Sequence, residues 1–142
     1  MAEHKRSLET AASPEAVWRI WSDPTSWSDW NPSVGEVKLE GPFAVGASGM
    51  MHMRSGRQHQ IRFERIEPGR AFELEATALP GHPFSFRCEV VPVGSGSRVS
   101  QSVTVRGPLA AILSPVVGEQ VAKTFEPILR ALAERAEAVD RG

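Results

Sequence analysis

The stretch Ala71–Val91, AFELEATALPGHPFSFRCEVV, alternates apolar and polar residues on both sides of a Pro-Gly pair. Glutamate, serine and arginine fill the polar positions, which is typical of a sheet with one solvated face. Pro80-Gly81 has the residue chemistry of a tight turn. The stretch therefore predicts two antiparallel strands with one apolar face. That face carries Phe72, Leu74, Ala76, Phe84, Phe86, Cys88 and Val90.

Strand-like segments continue outward from this hairpin in both directions. The breaks between them are short and rich in glycine and proline, as at Gly41-Pro42, Ser55-Gly56 and Pro68-Gly69. Such connections favour an antiparallel meander, because parallel neighbours need a crossover of about a dozen residues or more. The predicted strands are His4–Thr10, Val34–Leu39, Ser48–Arg54, Gln58–Ile66, Ala71–Thr77, Phe84–Val91 and Arg98–Arg106.

Two short helices are predicted after the first strand. Ser13-Pro14-Glu15 has the residues of a helix start, with a capping hydroxyl, a proline in the first turn and an acidic residue near the positive end. Val17, Ile20 and Trp21 then form an apolar stripe. Asp23-Pro24 ends this helix and begins a second one through Trp27 to Trp30.

The carboxyl third predicts a long amphipathic helix over Gly118–Glu137. Its apolar residues recur at steps of three and four. Pro115 and Gly118 predict an irregular turn before the helix, and Pro127 predicts a bend near Lys123. The apolar positions are Val121, Phe125, Ile128, Leu129, Leu132 and Ala136.

The order of these elements predicts an α+β fold. A long helix with an apolar face needs a partner, and a sheet with one apolar face supplies it. If the sheet curves around the helix, space remains between them, and that space is a cavity.

Composition limits the classes of protein to which the chain can belong. A length of 142 residues suits one domain, 1–142. Sixteen Lys and Arg against seventeen Asp and Glu give no electrostatic reason to expect nucleic acid as a partner. The longest apolar stretch, Pro108–Val117, is shorter than the roughly 20 residues that a membrane span needs. The polar amino terminus lacks a signal-peptide pattern, and the lone Cys88 fits a reducing compartment, so we expect a cytoplasmic protein.

Six short motifs follow one another along the chain. They are ASPEAVW (residues 12–18), WSDWNP (27–32), Gly41-Pro42 with Gly46, EPGRAF (67–72), GSGSRV (94–99) and GPL (107–109). In this order they resemble the START/Bet v 1-like (SRPBCC) superfamily, in particular its polyketide cyclase/dehydrase-like branch.

The resemblance implies a helix-grip fold, in which a curved antiparallel sheet is wrapped around a long C-terminal helix and two short helices follow the first strand. It also implies a hydrophobic pocket but no single activity. His4 and Arg6 depart from the apolar residues that relatives carry on the first strand, which implies a more solvated first strand or a more polar pocket.

The predicted ligand-binding residues are apolar side chains on the inner face of the sheet and on the helix. In this fold the core and the pocket wall are the same surface, so core packing is the competing explanation for each of them. Trp30 is the tryptophan that we expect at the pocket mouth, and the methionines suit ligands of variable shape. The set is Trp30, Met51, Met53, Phe63, Phe72, Leu74, Phe84, Phe86, Val121 and Phe125.

The sequence contains no legible catalytic or metal-binding constellation. His4, His52, His59 and His82 form no pair with metal-ligand spacing, so neither a metal nor another cofactor is predicted. If the protein is an enzyme, His52 or His82 is the candidate acid or base.

Arg6, Arg62, Arg106 and Cys88 are the remaining residues with chemistry that a pocket could use. The alternation predicts that Arg62 and Arg106 lie on the outer face, although an inward Arg6 or Arg106 would hold a carboxylate or enolate oxygen. Cys88 reads as an inert buried thiol, because no base adjoins it.

The leading hypothesis is that the chain binds a small hydrophobic or amphipathic molecule, lipid or polyketide-like. One alternative is a polyketide cyclase or dehydratase that uses polar pocket residues as acid and base. Another is a protein-interaction module of the toxin or cochaperone type, which a filled interior and an exposed apolar patch would favour. The sequence leaves open whether the chain forms a homodimer.

Overall fold

The computed structural model describes residues 3–142, which include one seven-stranded antiparallel sheet. Its order is β1-β7-β6-β5-β4-β3-β2, so β1 and β2 are the edges. Every predicted strand is confirmed, with ends that shift by up to two residues. The strands are β1 Glu3–Thr10, β2 Val34–Glu40, β3 Ser48–Met53, β4 Gln58–Glu67, β5 Ala71–Leu79, β6 His82–Val93 and β7 Gly96–Val105.

Both predicted short helices follow β1. In helix α1, Pro14–Trp21, the Ser13 hydroxyl accepts a hydrogen bond from the amide of Ala16 at 3.1 Å. This is the capping interaction that the sequence predicts. The second helix, Pro24–Asp29, is a 3₁₀ helix.

The carboxyl segment is helical from Ala110, eight residues before the predicted start at Gly118. It consists of α2 Ala110–Leu113, a π-helical turn Ser114–Gly118, α3 Glu119–Ala122 and α4 Phe125–Arg141. The predicted irregular turn is therefore a π-helical turn, a wider turn that absorbs the hydrogen bond missing at a proline without ending the helical path. The bend at Lys123–Thr124 is where it was predicted.

Pro127 does not kink a helix interior, because it lies in the first turn of α4. Amide hydrogens in a first turn have no partner within the helix, so a proline costs little there.

The polar residues of β1 hold the helical segment and do not make the pocket more polar. His4 Nε2 lies 3.0 Å from the Ser114 hydroxyl, and the Arg6 guanidinium donates to the Glu119 carboxylate. Gly118 permits this contact, since a Cβ at this position would collide with the His4 ring. The Arg6 guanidinium also holds the pKa of Glu119 below its usual value.

The core lies between the sheet and α4, as predicted. Phe125, Leu129 and Leu132 of α4 are fully buried, whereas Val121 of α3 is half-buried. The arrangement is the expected helix-grip fold, a curved sheet with a long C-terminal helix. No helix within residues 3–142 is long and apolar enough to cross a membrane.

Candidate functional site

A cavity of about 620 Å³ lies between the inner face of the sheet and the helical segment. The 3₁₀ helix and the loop after it, strands β3 to β7, and residues 117–128 supply its walls. Its size falls within the range of roughly 300–1,000 Å³ that is usual for small-molecule sites.

All of the predicted ligand-binding residues except Phe63 line this cavity. They are Trp30, Met51, Met53, Phe72, Leu74, Phe84, Phe86, Val121 and Phe125. Phe86 connects the sheet to the helix, since its ring lies 6.3 Å from Phe84 and 6.2 Å from Phe125.

Phe63 was predicted to bind the ligand, but it does not line the cavity. Its side chain is fully buried elsewhere in the core. Its ring lies 4.9 Å from Phe43 and 6.1 Å from Trp27 in edge-to-face contacts. The alternation correctly placed Phe63 on the inner face. It could not show that Phe43, from the loop between β2 and β3, covers this part of the face.

The predicted acid and base candidates also lie away from the cavity. His52 has the opposite parity to Met51 and Met53 and is not part of the wall. His82 Nδ1 donates to the carbonyl of Pro80 at 3.0 Å, and Nε2 accepts from the amide of Leu109 at 3.0 Å. Its ring therefore joins the β5–β6 turn to the start of the helical segment.

Neither of the arginines considered as inward anion ligands reaches the wall. Arg6 is engaged with Glu119, and Arg106 is exposed. Arg62 is exposed on the outer face, as its parity predicts.

Nine polar residues of the wall were not predicted to face a pocket: Asn31, Ser33, Arg54, Ser55, Arg57, His59, Gln101, Gln120 and Thr124. His59 shares the parity of Ile61, and Gln101 shares that of Val99 and Val103, so the alternation contained a signal for both. Arg57 lies in the turn between β3 and β4, where alternation gives no signal. Arg54 was predicted as the last residue of the strand with the parity of His52, but β3 ends at Met53 and the turn places Arg54 on the wall.

The hydrogen bonds of these residues fix part of their geometry. His59 Nδ1 donates to the carbonyl of Thr77 at 2.7 Å, which leaves Nε2 without a partner among the described residues. Asn31 Oδ1 accepts from the amide of Ser33 at 2.9 Å. Arg54 Nη2 donates to the carbonyl of Ser28 at 2.8 Å.

Cys88 is on the cavity wall and is buried, as predicted. Burial raises the pKa of the thiol, because the surroundings disfavour the thiolate. A neutral thiol is a weak nucleophile, which matches the prediction that Cys88 is inert.

Trp30 contributes to the wall, although its indole Nε1 is buried and has no hydrogen-bond partner within residues 3–142. An unsatisfied buried donor costs about 1–3 kcal/mol.

No group of three or more metal-ligating side chains occurs within residues 3–142.

Comparison with known proteins identifies the family. Residues 1–139 match the sequence family described as polyketide cyclase / dehydrase and lipid transport. The chain belongs to this family. No curated protein matches this polyketide cyclase/dehydrase family member significantly in sequence.

Solved structures of low sequence identity share its fold. The protein XoxI from Bacillus cereus is 20% identical with a TM-score of 0.78, covering 99% of both chains. A START superfamily protein from Mycobacterium smegmatis is 17% identical with a TM-score of 0.76, covering 96% of this chain and 98% of the other. Norcoclaurine synthase from Thalictrum flavum, solved with a transition-state analogue, is 17% identical with a TM-score of 0.72, covering 98% and 96%.

Proposed function

We propose that this polyketide cyclase/dehydrase family member binds a small hydrophobic or amphipathic molecule in the cavity between the sheet and the carboxyl helices. One observation carries the proposal: at the inner positions where core packing is the default, the side chains surround about 620 Å³ of space. Moving the apolar part of a ligand from water into that space would be favourable by a free energy of about 25 cal/mol per Å² of buried apolar surface. The mechanism is enclosure, with a few polar groups to orient the ligand.

Filling the cavity tests this proposal. Ala76 lies on the wall and is buried, so Ala76→Phe adds a ring to the space where the ligand would lie. Glu75→Phe is the matched control, since it adds a ring to the opposite face of the same strand. Fluorescence titration with the uncharged probe N-phenyl-1-naphthylamine should show binding to the wild type and to Glu75→Phe.

Ala76→Phe should reduce probe affinity about tenfold or more, the effect of losing about 1.4 kcal/mol of binding free energy. Circular dichroism must show that the variant remains folded. Unchanged probe binding by folded Ala76→Phe, or no probe binding by the wild type, would contradict the proposal.

A second candidate is a cyclase or dehydratase, favoured by one observation: His59 is an imidazole on the wall whose Nε2 has no described partner. An acid or base at this position would contribute about 10²–10⁴-fold to a rate. Incubation with a thioester mimic of a poly-β-ketone, followed by mass spectrometry, should then show cyclised or dehydrated product, and much less of it with His59→Gln. Equal product from both proteins would exclude His59 from this role.

The interaction-module alternative is less favoured by the structure. It predicted an exposed apolar patch, and Leu109, Ile112 and Val116 are indeed exposed. It also predicted a filled interior, and the interior contains the cavity instead.

A further inference from the structure

The polar residues of one end of the cavity come from two adjacent chain segments. Asn31–Ser33 precedes β2, and Arg54–Arg57 forms the turn after β3. The segments are joined by the antiparallel pairing of Val34 with Met53 and by the amide of Arg54, which donates to the carbonyl of Ser33 at 3.0 Å. These side chains therefore form one polar end, made of Asn31, Ser33, Arg54, Ser55 and Arg57.

The charge of this end has one sign. Arg54 and Arg57 carry positive charge, and none of the described wall residues of the cavity is aspartate or glutamate. Neither arginine has a carboxylate within 4.0 Å in the described part of the chain. Asp29, which is close in sequence to the polar end, pairs with Arg135 at 3.9 Å.

Arg87, in contrast, is an arginine whose charge is balanced by carboxylates of the same chain. On the outer face, Arg87 contacts Glu67 at 3.1 Å, Glu73 at 2.7 Å and Glu89 at 3.0 Å. Its positive charge is therefore balanced by three carboxylates of the chain, which accept hydrogen bonds from Nη1 and Nη2. Arg54 has only the neutral carbonyl of Ser28, and the Arg57 guanidinium has no hydrogen-bond partner within residues 3–142.

The free amide and guanidinium groups at the polar end are donors, whereas the hydroxyls of Ser33 and Ser55 can donate or accept. Asn31 uses its oxygen to accept from Ser33, so its amino group is the part left available. A guanidinium offers five N–H donors and no acceptor. Donors that carry positive charge bind carboxylate and phosphate oxygens better than neutral oxygens.

Most of the remaining wall is apolar, including Leu74, Phe84, Phe86 and Phe125 on the sheet and helix. Its polar members are His59, Gln101, Gln120 and Thr124. We propose that the ligand is an amphipathic anion, with its carboxylate or phosphate head at Arg54 and Arg57 and its apolar body among the apolar side chains of the wall. This inference rests on the proposed function and specifies the class of ligand.

Two ligands that differ only in the head group test the inference. Decanoate and decanol have the same chain length, and each should displace N-phenyl-1-naphthylamine from the wild type at pH 7.5. Decanoate should bind about tenfold more tightly, the lower end of what hydrogen bonds to charged groups contribute. In the double variant Arg54→Gln/Arg57→Gln the ratio should fall close to one, while the affinity for decanol stays unchanged.

Arg62→Gln is the matched control, because it removes an exposed arginine from the outer face of β4, outside the cavity wall. It should keep the wild-type preference for decanoate. Added salt should lower that preference in the wild type but not in the double variant. Decanol binding as tightly as decanoate to the wild type, or an unchanged ratio in the double variant, would overturn the anionic head while leaving the cavity intact. Failure of the neutral probe to bind would instead overturn the proposed function.

If decanoate binds more tightly than decanol, the same displacement titration with decyl phosphate compares the two anionic head groups. Tighter binding of either decanoate or decyl phosphate supports an oxyanion site and identifies the oxyanion that this site prefers.

Discussion

Two parts of the interior differ although the same sequence pattern produces both. At one end, which we call the packed end, Trp18, Phe43 and Phe63 fill the space, with Phe63 in edge-to-face contact with Phe43 at 4.9 Å. At the other, the hollow end, Leu74, Phe84, Phe86 and Phe125 surround the cavity. Phe72 separates them, since it contacts Phe63 at 5.8 Å and also lines the cavity.

The difference lies in what covers the sheet. Loop and short-helix aromatics cover the packed end, whereas residues 117–128 of the helical segment cover the hollow end. His4 and Arg6 tie that segment to β1. Alternation along a strand determines which side chains face inward. The elements on the opposite side determine whether those side chains meet other atoms or empty space.

The largest effects on stability should come from the packed end. Phe63→Ala should lower the free energy of unfolding by about 3–5 kcal/mol, because a fully buried ring is removed from closely packed surroundings. Phe84→Ala should cost less, because one side of that ring already faces the cavity and has fewer atoms in contact. Urea denaturation of both variants measures the difference, and equal losses would mean that the two ends are packed alike.

A second pair makes the same comparison within one helix. Leu132 is 1% exposed and lies outside the cavity wall, whereas Ile128, one turn earlier in α4, lines it. Leu132→Ala should cost about 2–5 kcal/mol, with Ile128→Ala at the lower end of that range. The measurement is again the free energy of unfolding. A larger loss for Ile128→Ala would contradict the claim that side chains on the cavity wall are less closely packed than those outside it.

The third prediction concerns the tie between β1 and the π-helical turn. Gly118→Ala puts a methyl group where the His4 ring lies, and such overpacking typically costs about 1–3 kcal/mol. Adding His4→Ala removes the ring that the methyl group meets. The double variant should therefore be less destabilised than the sum of the two single variants, as thermal unfolding of all three can show. Additive losses would show that this contact does not form.

The smallest effect should be the pH dependence of the pair formed by Arg6 and Glu119. Because Arg6 lowers the pKa of the folded carboxyl, the pair stabilises the fold above the usual carboxyl pKa of 4.5. That contribution is lost as the pH falls through the lowered value. The stability difference between the wild type and Glu119→Gln should therefore be constant near neutral pH and shrink below about pH 4.5. A difference that grows on acidification would contradict this sign.

Much of the fold follows from the sequence because its local signals agree. Alternation, turn residues and helical spacing each predict the element that the structure contains, from the Ser13 cap to the buried face of α4. The predicted start of the helical segment, Gly118, was wrong by eight residues, because the segment begins at Ala110. Pro115 reads as a break in a sequence, and only the three-dimensional path shows that a π-helical turn accommodates it.

Less of the candidate site than of the fold could be predicted from the sequence. Phe63 has the right parity but is covered by Phe43, a contact made by a loop. His52 and His82 were the candidate acid or base because histidine can perform that chemistry, but neither lies in the cavity wall. Arg57 reaches the cavity from a turn, where no periodic pattern reports direction.

The most direct test of the account is a crystal structure of the protein grown with decanoate. We predict density for the chain of decanoate between Phe84, Phe86 and Phe125, with the side chains of the packed end unchanged. An interior in which these aromatic rings have closed onto one another, with decanoate bound elsewhere or absent, would contradict the claim that the hollow end is a ligand site.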